Sequence, residues 1–166
     1  MGLACAYGLY LRSDAYRNVN RLSYAEGRPN RAGRAFGDAW TLVSGLGQTP
    51  SCLVALETTG HRTGRVRAVP VVIGDHGGER YIVSTLGERS PWVRNVRTAG
   101  GRAVIRHGRR HAVRLLEVPP AERAPIISAS VARAVGTRPH IPVDPSAPVE
   151  AFDAIAAGYP VSRIEA

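Results

Sequence analysis

Between Glu57 and Val72 the chain reads ETTGHRTGRVRAVPVV, and Arg62, Arg65 and Arg67 fall together just after His61. A guanidinium is planar, always charged and carries five donors in a fork that matches phosphate and carboxylate. Gly60 and Gly64 bracket the tip, and glycine accepts positive φ, so a tight turn can gather its N–H groups into a nest that takes an anion. Thr63 adds a hydroxyl. Arg65 and Arg67 are two apart and share a face if the segment is a strand, while Arg62 sits at the tip. The chemistry on offer is capture of a phosphate or polycarboxylate. The stretch is neither a Walker loop nor a dinucleotide fingerprint. A solvated hairpin tip in an arginine-rich protein fits the same residues.

The surrounding elements follow from periodicity. From residue 51 apolar residues alternate or run together as in strands. Residues 52–59 read as a strand, 60–64 as a turn and 66–73 as the returning antiparallel strand. A Gly-rich turn at 75–79 leads to a third strand at 80–86. Ser90-Pro91-Trp92 marks a helix start, with Ser at the cap and Pro in the first turn. Gly100-Gly101 ends that helix. A hairpin around Gly108 joins strands at 103–107 and 111–118. Pro119-Pro120 opens a helix carrying Ile126, Ile127, Val131 and Val135. A Pro-rich connection, a short helix with Phe152, Ile155 and Ala156, and a last strand at 159–164 complete the chain. Before residue 48 the pattern is helical. Leu3, Tyr7, Leu11, Ala15, Val19 and Leu22 make one stripe, broken at residues 26–29, and Phe36, Trp40 and Val43 mark a weaker second helix. Many short antiparallel strands with flanking helices predict an α+β fold in which the sheet closes as a barrel and so removes its edges. One domain is expected over residues 1–166, with 1–47 as a helical N-terminal arm and 48–166 as the barrel core.

Composition bounds the function. The chain has 166 residues and a formal net charge of +9. Every basic residue other than histidine is arginine, which is the mark of a GC-rich genome and weakens arguments from arginine number alone. The charge favours anionic partners: a phosphorylated ligand, an acidic lipid surface or nucleic acid. Aromatic residues are 6% of the chain and do not alternate with the arginines, so a base-stacking platform is missing and nucleic acid is not expected. No apolar run reaches membrane-spanning length, and no signal peptide is read, so a cytoplasmic location is expected. Cys5 and Cys52 form no disulfide framework or zinc spacing, and Cys52 is expected in the core.

TTGHRTGRVRAVP, followed in order by YIVSTLGERS and PWVRNV, resembles the deazaflavin-dependent nitroreductases, also called F-420-dependent quinone reductases. The resemblance covers about residues 50–118. It implies a flavin-reductase-like split β-barrel. It also implies coenzyme F-420, an 8-hydroxy-5-deazaflavin whose side chain carries a phosphodiester and an oligoglutamate tail. By motif position Arg62, Thr63, Gly64 and Arg67 would meet that tail. Val69 and Pro70 would line the approach to the ring, and Ser84, Thr85, Leu86 and Gly87 would border it. Trp92 and Asn95 would pack and hydrogen-bond beside it. The implied reaction is hydride transfer to a small-molecule acceptor, a quinone, nitroaromatic or enone, by a monomer or homodimer. Three positions depart from the pattern: His61 stands for an arginine, Leu86 for a lysine and Val72 for a tyrosine. The alternative reading keeps the barrel and gives it flavin mononucleotide, heme or a fatty acid.

Other chemistries lack their residues. His107 and His111 on a straight strand would be ~13 Å apart, too far to share a metal ion. No Gly-x-Ser-x-Gly elbow supports a hydrolase. Glu57 is expected in a local ion pair. No catalytic residue is identified; Tyr7, Tyr10 and Tyr24 are proton donors only if the N-terminal arm folds over the site. The stripe of residues 3–22 packs on the barrel or, with its neighbouring arginines, lies on an anionic membrane.

Overall fold

The computed structural model describes residues 24–25, 28–29, 31–134, 138 and 140–166. Tyr24–Ala25 (β1) and Arg28–Pro29 (β2) form a two-stranded ladder, with Tyr24 opposite Pro29. The helical pattern expected over residues 1–47, with its break at 26–29, gives way to strand at these four residues. Arg31–Gly45 (α1) then runs as a helix through both Gly33 and Gly37. Tertiary packing on the barrel outweighs the propensity cost of about 1 kcal/mol per glycine. The stripe of residues 3–22 lies outside the described residues.

Six strands follow: Leu53–Thr59 (β3), Val66–His76 (β4), Glu79–Val83 (β5), Arg102–His107 (β6), Arg109–Glu117 (β7) and Val161–Glu165 (β8). They close in the order β3-β4-β5-β8-β7-β6, all pairs antiparallel, with Leu56 of β3 opposite Ile105 of β6 at the seam. The expected α+β barrel is what the chain forms. Strand alternation sends Val54, Leu56, Val71, Ile82, Ile105, Leu115 and Ile164 into one core. Helix α2 (Pro91–Thr98) contributes Trp92, Val93 and Val96 to that same core.

On the outer side, Arg123–Arg133 (α3), Asp153–Ala156 (α4) and Phe152 enclose a second core against β5 and β8, with Ile127, Val131 and Val161 fully buried. The buried Arg123 guanidinium donates to the Val118, Ala156 and Ala157 carbonyls and to Glu117. Helix α1 lies across the outer face of β3, β4 and β6, where its Thr41, Ser44 and Gly45 are buried.

Cys52 corrects the reading made from its neighbours. It occupies the turn before β3 and is exposed. The strand begins one residue later, so burial starts at Leu53. Among the described residues no helix is long and apolar enough to cross a membrane.

Candidate functional site

The β3–β4 ladder fixes the arginine corner. Thr58 stands opposite Arg67 and Thr59 opposite Val66, which leaves residues 60–65 as the connection. Directly opposed residues share a face, so Arg67 lies on the face of Thr58 and Leu56, the barrel's inner side, at its rim. Arg62, Thr63, Gly64, Arg65 and Arg67 are all exposed. None of the three arginines has an acidic partner among the described residues. Glu57, the nearest carboxylate in sequence, faces the other side. There its oxygens lie 2.9 Å from Arg106 Nε and 2.6 Å from Arg110 Nη2. The ion pair expected for Glu57 is thus present, but with β6 and β7.

The turn does not form the expected nest. Gly64 is left-handed at φ 65°, as anticipated. However, Gly60 N–H donates to the Arg65 carbonyl, and Thr63 and Gly64 N–H both donate to the Gly60 carbonyl. Arg65 N–H points at Thr63 Oγ1, and His61 N–H donates to Asn95 Oδ1. With these donors committed, an anion here would be held chiefly by side chains: the three guanidinium groups and the Thr63 hydroxyl.

Asn95 is the post to which the turn is tied. It sits on α2, 4% exposed. Its Oδ1 accepts from His61 N–H at 3.0 Å and from His61 Nδ1–H at 2.9 Å, and its Nδ2 donates to the buried Thr58 Oγ1 at 3.0 Å. The backbone donor fixes which end of the amide faces the turn. The motif placed Asn95 against a ligand; in the structure its contacts are to the hairpin.

A second feature adjoins the corner. Strand β4 pairs with β5 only from Ile73 opposite Ile82 to His76 opposite Glu79. Beyond Ile82 the chain stays with β8: Val83 stands opposite Val161 and Ser84 N–H donates to the Pro160 carbonyl. It has peeled away from β4. Among the described residues, residues 66–71 of β4 therefore have a strand neighbour on one side only. Antiparallel bonds alternate, and Gly60 N–H meets the Arg65 carbonyl while Ile73 N–H meets that of Cys52. Odd-numbered β4 residues thus turn their backbone groups to β3. Val66, Ala68 and Pro70 turn theirs to the open side. Pro70, which has no N–H to pair, suits that edge.

The segment opposite this edge is held rigidly. Ser84, 1% exposed, has its Oγ 2.9 Å from the Gly87 carbonyl and 2.7 Å from Ser90 Oγ. Ser90 was read as a helix cap; its side chain makes no cap bond and serves this loop instead. Gly87 is left-handed at φ 66°, and a Cβ built there would lie 2.8 Å from the Gly158 carbonyl oxygen. From the next residue Glu88 bonds Arg97 of α2, which also grips Glu117 at the end of β7. The hydrogen bond from Arg97 holds both carboxyls below the usual carboxylate range, against the opposing effect of burial. Thr85 and Leu86 remain half-buried.

Of the residues singled out from the sequence, the structure brings Arg62, Thr63, Gly64 and Arg67 together at one rim. Val69 and Pro70 continue from them along the open edge, with Val69 half-buried against the core. Ser84 and Gly87 hold their loop together, and Trp92 is a core residue, 7% exposed. Thr58, Ser90 and Arg97 were missed; only their cross-sequence partners show their part. A cavity of about 280 Å³ also opens on the β7 flank of α2, between Trp92, Val96, Leu115 and Ser162. It lies at the small end for a ligand pocket, and Arg97 at its rim is already neutralised by two carboxylates. His107 Nε2 lies 2.9 Å from the Thr49 carbonyl, which ties this strand end to the turn before β3.

A family model described as F-420H(2)-dependent quinone reductase matches residues 33–143. The chain belongs to that family. The match runs through α1, the arginine hairpin, the open β4 edge and α2, and it makes the chain an oxidoreductase whose cofactor is coenzyme F-420. Solved structures are similar only at long range. A reductase dependent on reduced F-420 (FDR-A) has 17% identity and a TM-score of 0.47, over 69% of this chain and 95% of that one. A protein of unknown function from Agrobacterium tumefaciens has 15% identity and a TM-score of 0.49, over 86% of this chain and 56% of its own. ChuZ of Campylobacter jejuni has 14% identity and a TM-score of 0.47, over 84% of this chain and 55% of its own. No curated protein sequence matches the chain.

Proposed function

We propose that the chain binds the deazaflavin along the open β4 edge, with the anionic tail on the arginine hairpin, and reduces a quinone-like acceptor. The observation that carries this reading is the continuity of two unsatisfied features. Among the described residues, three guanidinium groups without carboxylates lead into a strand edge whose backbone groups lack a strand partner.

The residues present fit the group. Arg62, Arg65 and Arg67 with Thr63 would hold phosphate and carboxylate oxygens, each charged bond contributing about 1.5–3 kcal/mol when well made. Val66 and Ala68 N–H and the Ala68 and Pro70 carbonyls would meet a ring with both donors and acceptors. Val69 supplies apolar surface, and Thr85 and Leu86 form the far wall. When bound, the reduced deazaflavin supplies a hydride as a pair of electrons. The chain's part is to fix ring against acceptor and to exclude water. The Ser84–Ser90 and Glu88–Arg97–Glu117 ties hold the far wall at a set distance from β4. Small apolar side chains along β4 favour a flat hydrophobic acceptor such as a quinone over a polar one.

Absorbance titration with oxidised deazaflavin tests this. Saturable binding is expected, weakened about tenfold to a hundredfold in Arg62→Ala/Arg67→Ala, as two partly exposed charged contacts allow. Equal binding by that variant would move the site off the hairpin.

A further inference from the structure

The Asn95 contact does more than anchor a turn: it determines which nitrogen of His61 can change. An amide oxygen only accepts, so the short contact from Nδ1 to Asn95 Oδ1 requires the proton on Nδ1. The neutral ring then carries its lone pair on Nε2. His61 is exposed at the hairpin tip, next to Arg62. Protonation of Nε2 would leave both bonds to Asn95 intact and add a donor and a positive charge at the corner. No rearrangement is required, because the ring is already clamped.

The charges on the neighbouring elements set the direction. The hairpin brings Arg62, Arg65 and Arg67, and α2 brings Arg94 and Arg97, with no carboxylate on that helix. The loop before α2 brings Glu88 and Arg89, and Glu88 is bonded to Arg97. Glu57 of β3 lies on the opposite face, held by Arg106 and Arg110. A polyanion seated on the arginines would set negative charge beside the ring, and an opposite charge favours its charged form.

We infer that His61 is a proton-gated contact for the anionic tail, taking up a proton at Nε2 as the tail binds. This rests on the proposed placement of the tail at the hairpin. By linkage the complex gains affinity as pH falls and loses it as pH rises through the range where histidine titrates.

The probe is an N-acetylated oligo-γ-glutamate peptide, whose carboxylates stay ionised from about pH 6 to about pH 8, so the ligand contributes no slope. Calorimetry on the full chain in two buffers of different ionisation enthalpy counts protons taken up. The expected result is a fractional proton uptake near pH ~7 and about threefold to tenfold weaker binding at pH ~8 than at pH ~6. His61→Gln removes both while keeping the affinity seen at pH ~8. His61→Arg binds more tightly and without pH dependence. Long-range nitrogen–proton NMR of the neutral ring shows Nδ1–H. An unchanged pH slope in His61→Gln, or an Nε2–H tautomer, overturns the inference while leaving the tail site in place. No binding at any pH, or full binding by Arg62→Ala/Arg67→Ala at pH ~8, overturns the tail site itself.

Discussion

Replacing Asn95 by alanine removes three hydrogen bonds at once, and their burial sets the magnitude. The His61 N–H and Nδ1–H are part-buried and regain water, so each bond is worth about 1 kcal/mol. Thr58 Oγ1 is buried beneath α2 and keeps no partner, a loss of about 1–3 kcal/mol. The expected sum is about 3–5 kcal/mol, with the small void left by the amide adding to it. Urea denaturation would show this as a lower midpoint with unchanged slope. The reasoning also demands a partial rescue. Thr58→Val in the same chain removes the stranded hydroxyl, so the double variant should recover about 1 kcal/mol or more relative to additivity. A loss under about 0.5 kcal/mol for Asn95→Ala, or strictly additive variants, would refute the idea that this side chain ties hairpin to helix.

Other outcomes follow from the far wall. Gly87→Ala places a methyl against the Gly158 carbonyl in a left-handed conformation, so urea melts should show a loss of about 2 kcal/mol or more, and deazaflavin titration a weaker complex. Glu88 and Glu117 have pKa values lowered from 4.5 by Arg97, so their contribution is fully present above that value and is lost as pH falls below it. Arg97→Met should flatten that acid branch of the urea midpoint measured from about pH 6 to about pH 3. An unchanged branch would mean the network is inert.

The barrel was legible because strand alternation and glycine turns are local. Gly60, Gly77, Gly100 and Gly108 punctuate the chain where the connections occur, and six strands were placed within a few residues. The misplacements share a cause. Cys52 looked buried because the run it opens is buried, yet the pairing register starts at Leu53. The end of the third strand was set too late because the peel from β4 to β8 is decided by Ser84 and Pro160, far apart in sequence. The arginine corner could be read from spacing alone. The absence of a nest could not, because Asn95 takes the His61 N–H while the Gly60 carbonyl takes those of Thr63 and Gly64. Asn95 drew attention for its motif, while its contacts depend on Thr58 and His61 across the fold.

A strand that lacks one neighbour is an invitation to another chain. Here the exposed backbone is flanked by Arg65 and Arg67 and contains Pro70, the devices by which edges escape aggregation. Cations proposed to gather an anionic ligand would also oppose two copies of this molecule zipping together. Neutralising them to probe ligand capture removes that insulation as well, and self-association of such variants in the absence of ligand is the consequence built into the geometry.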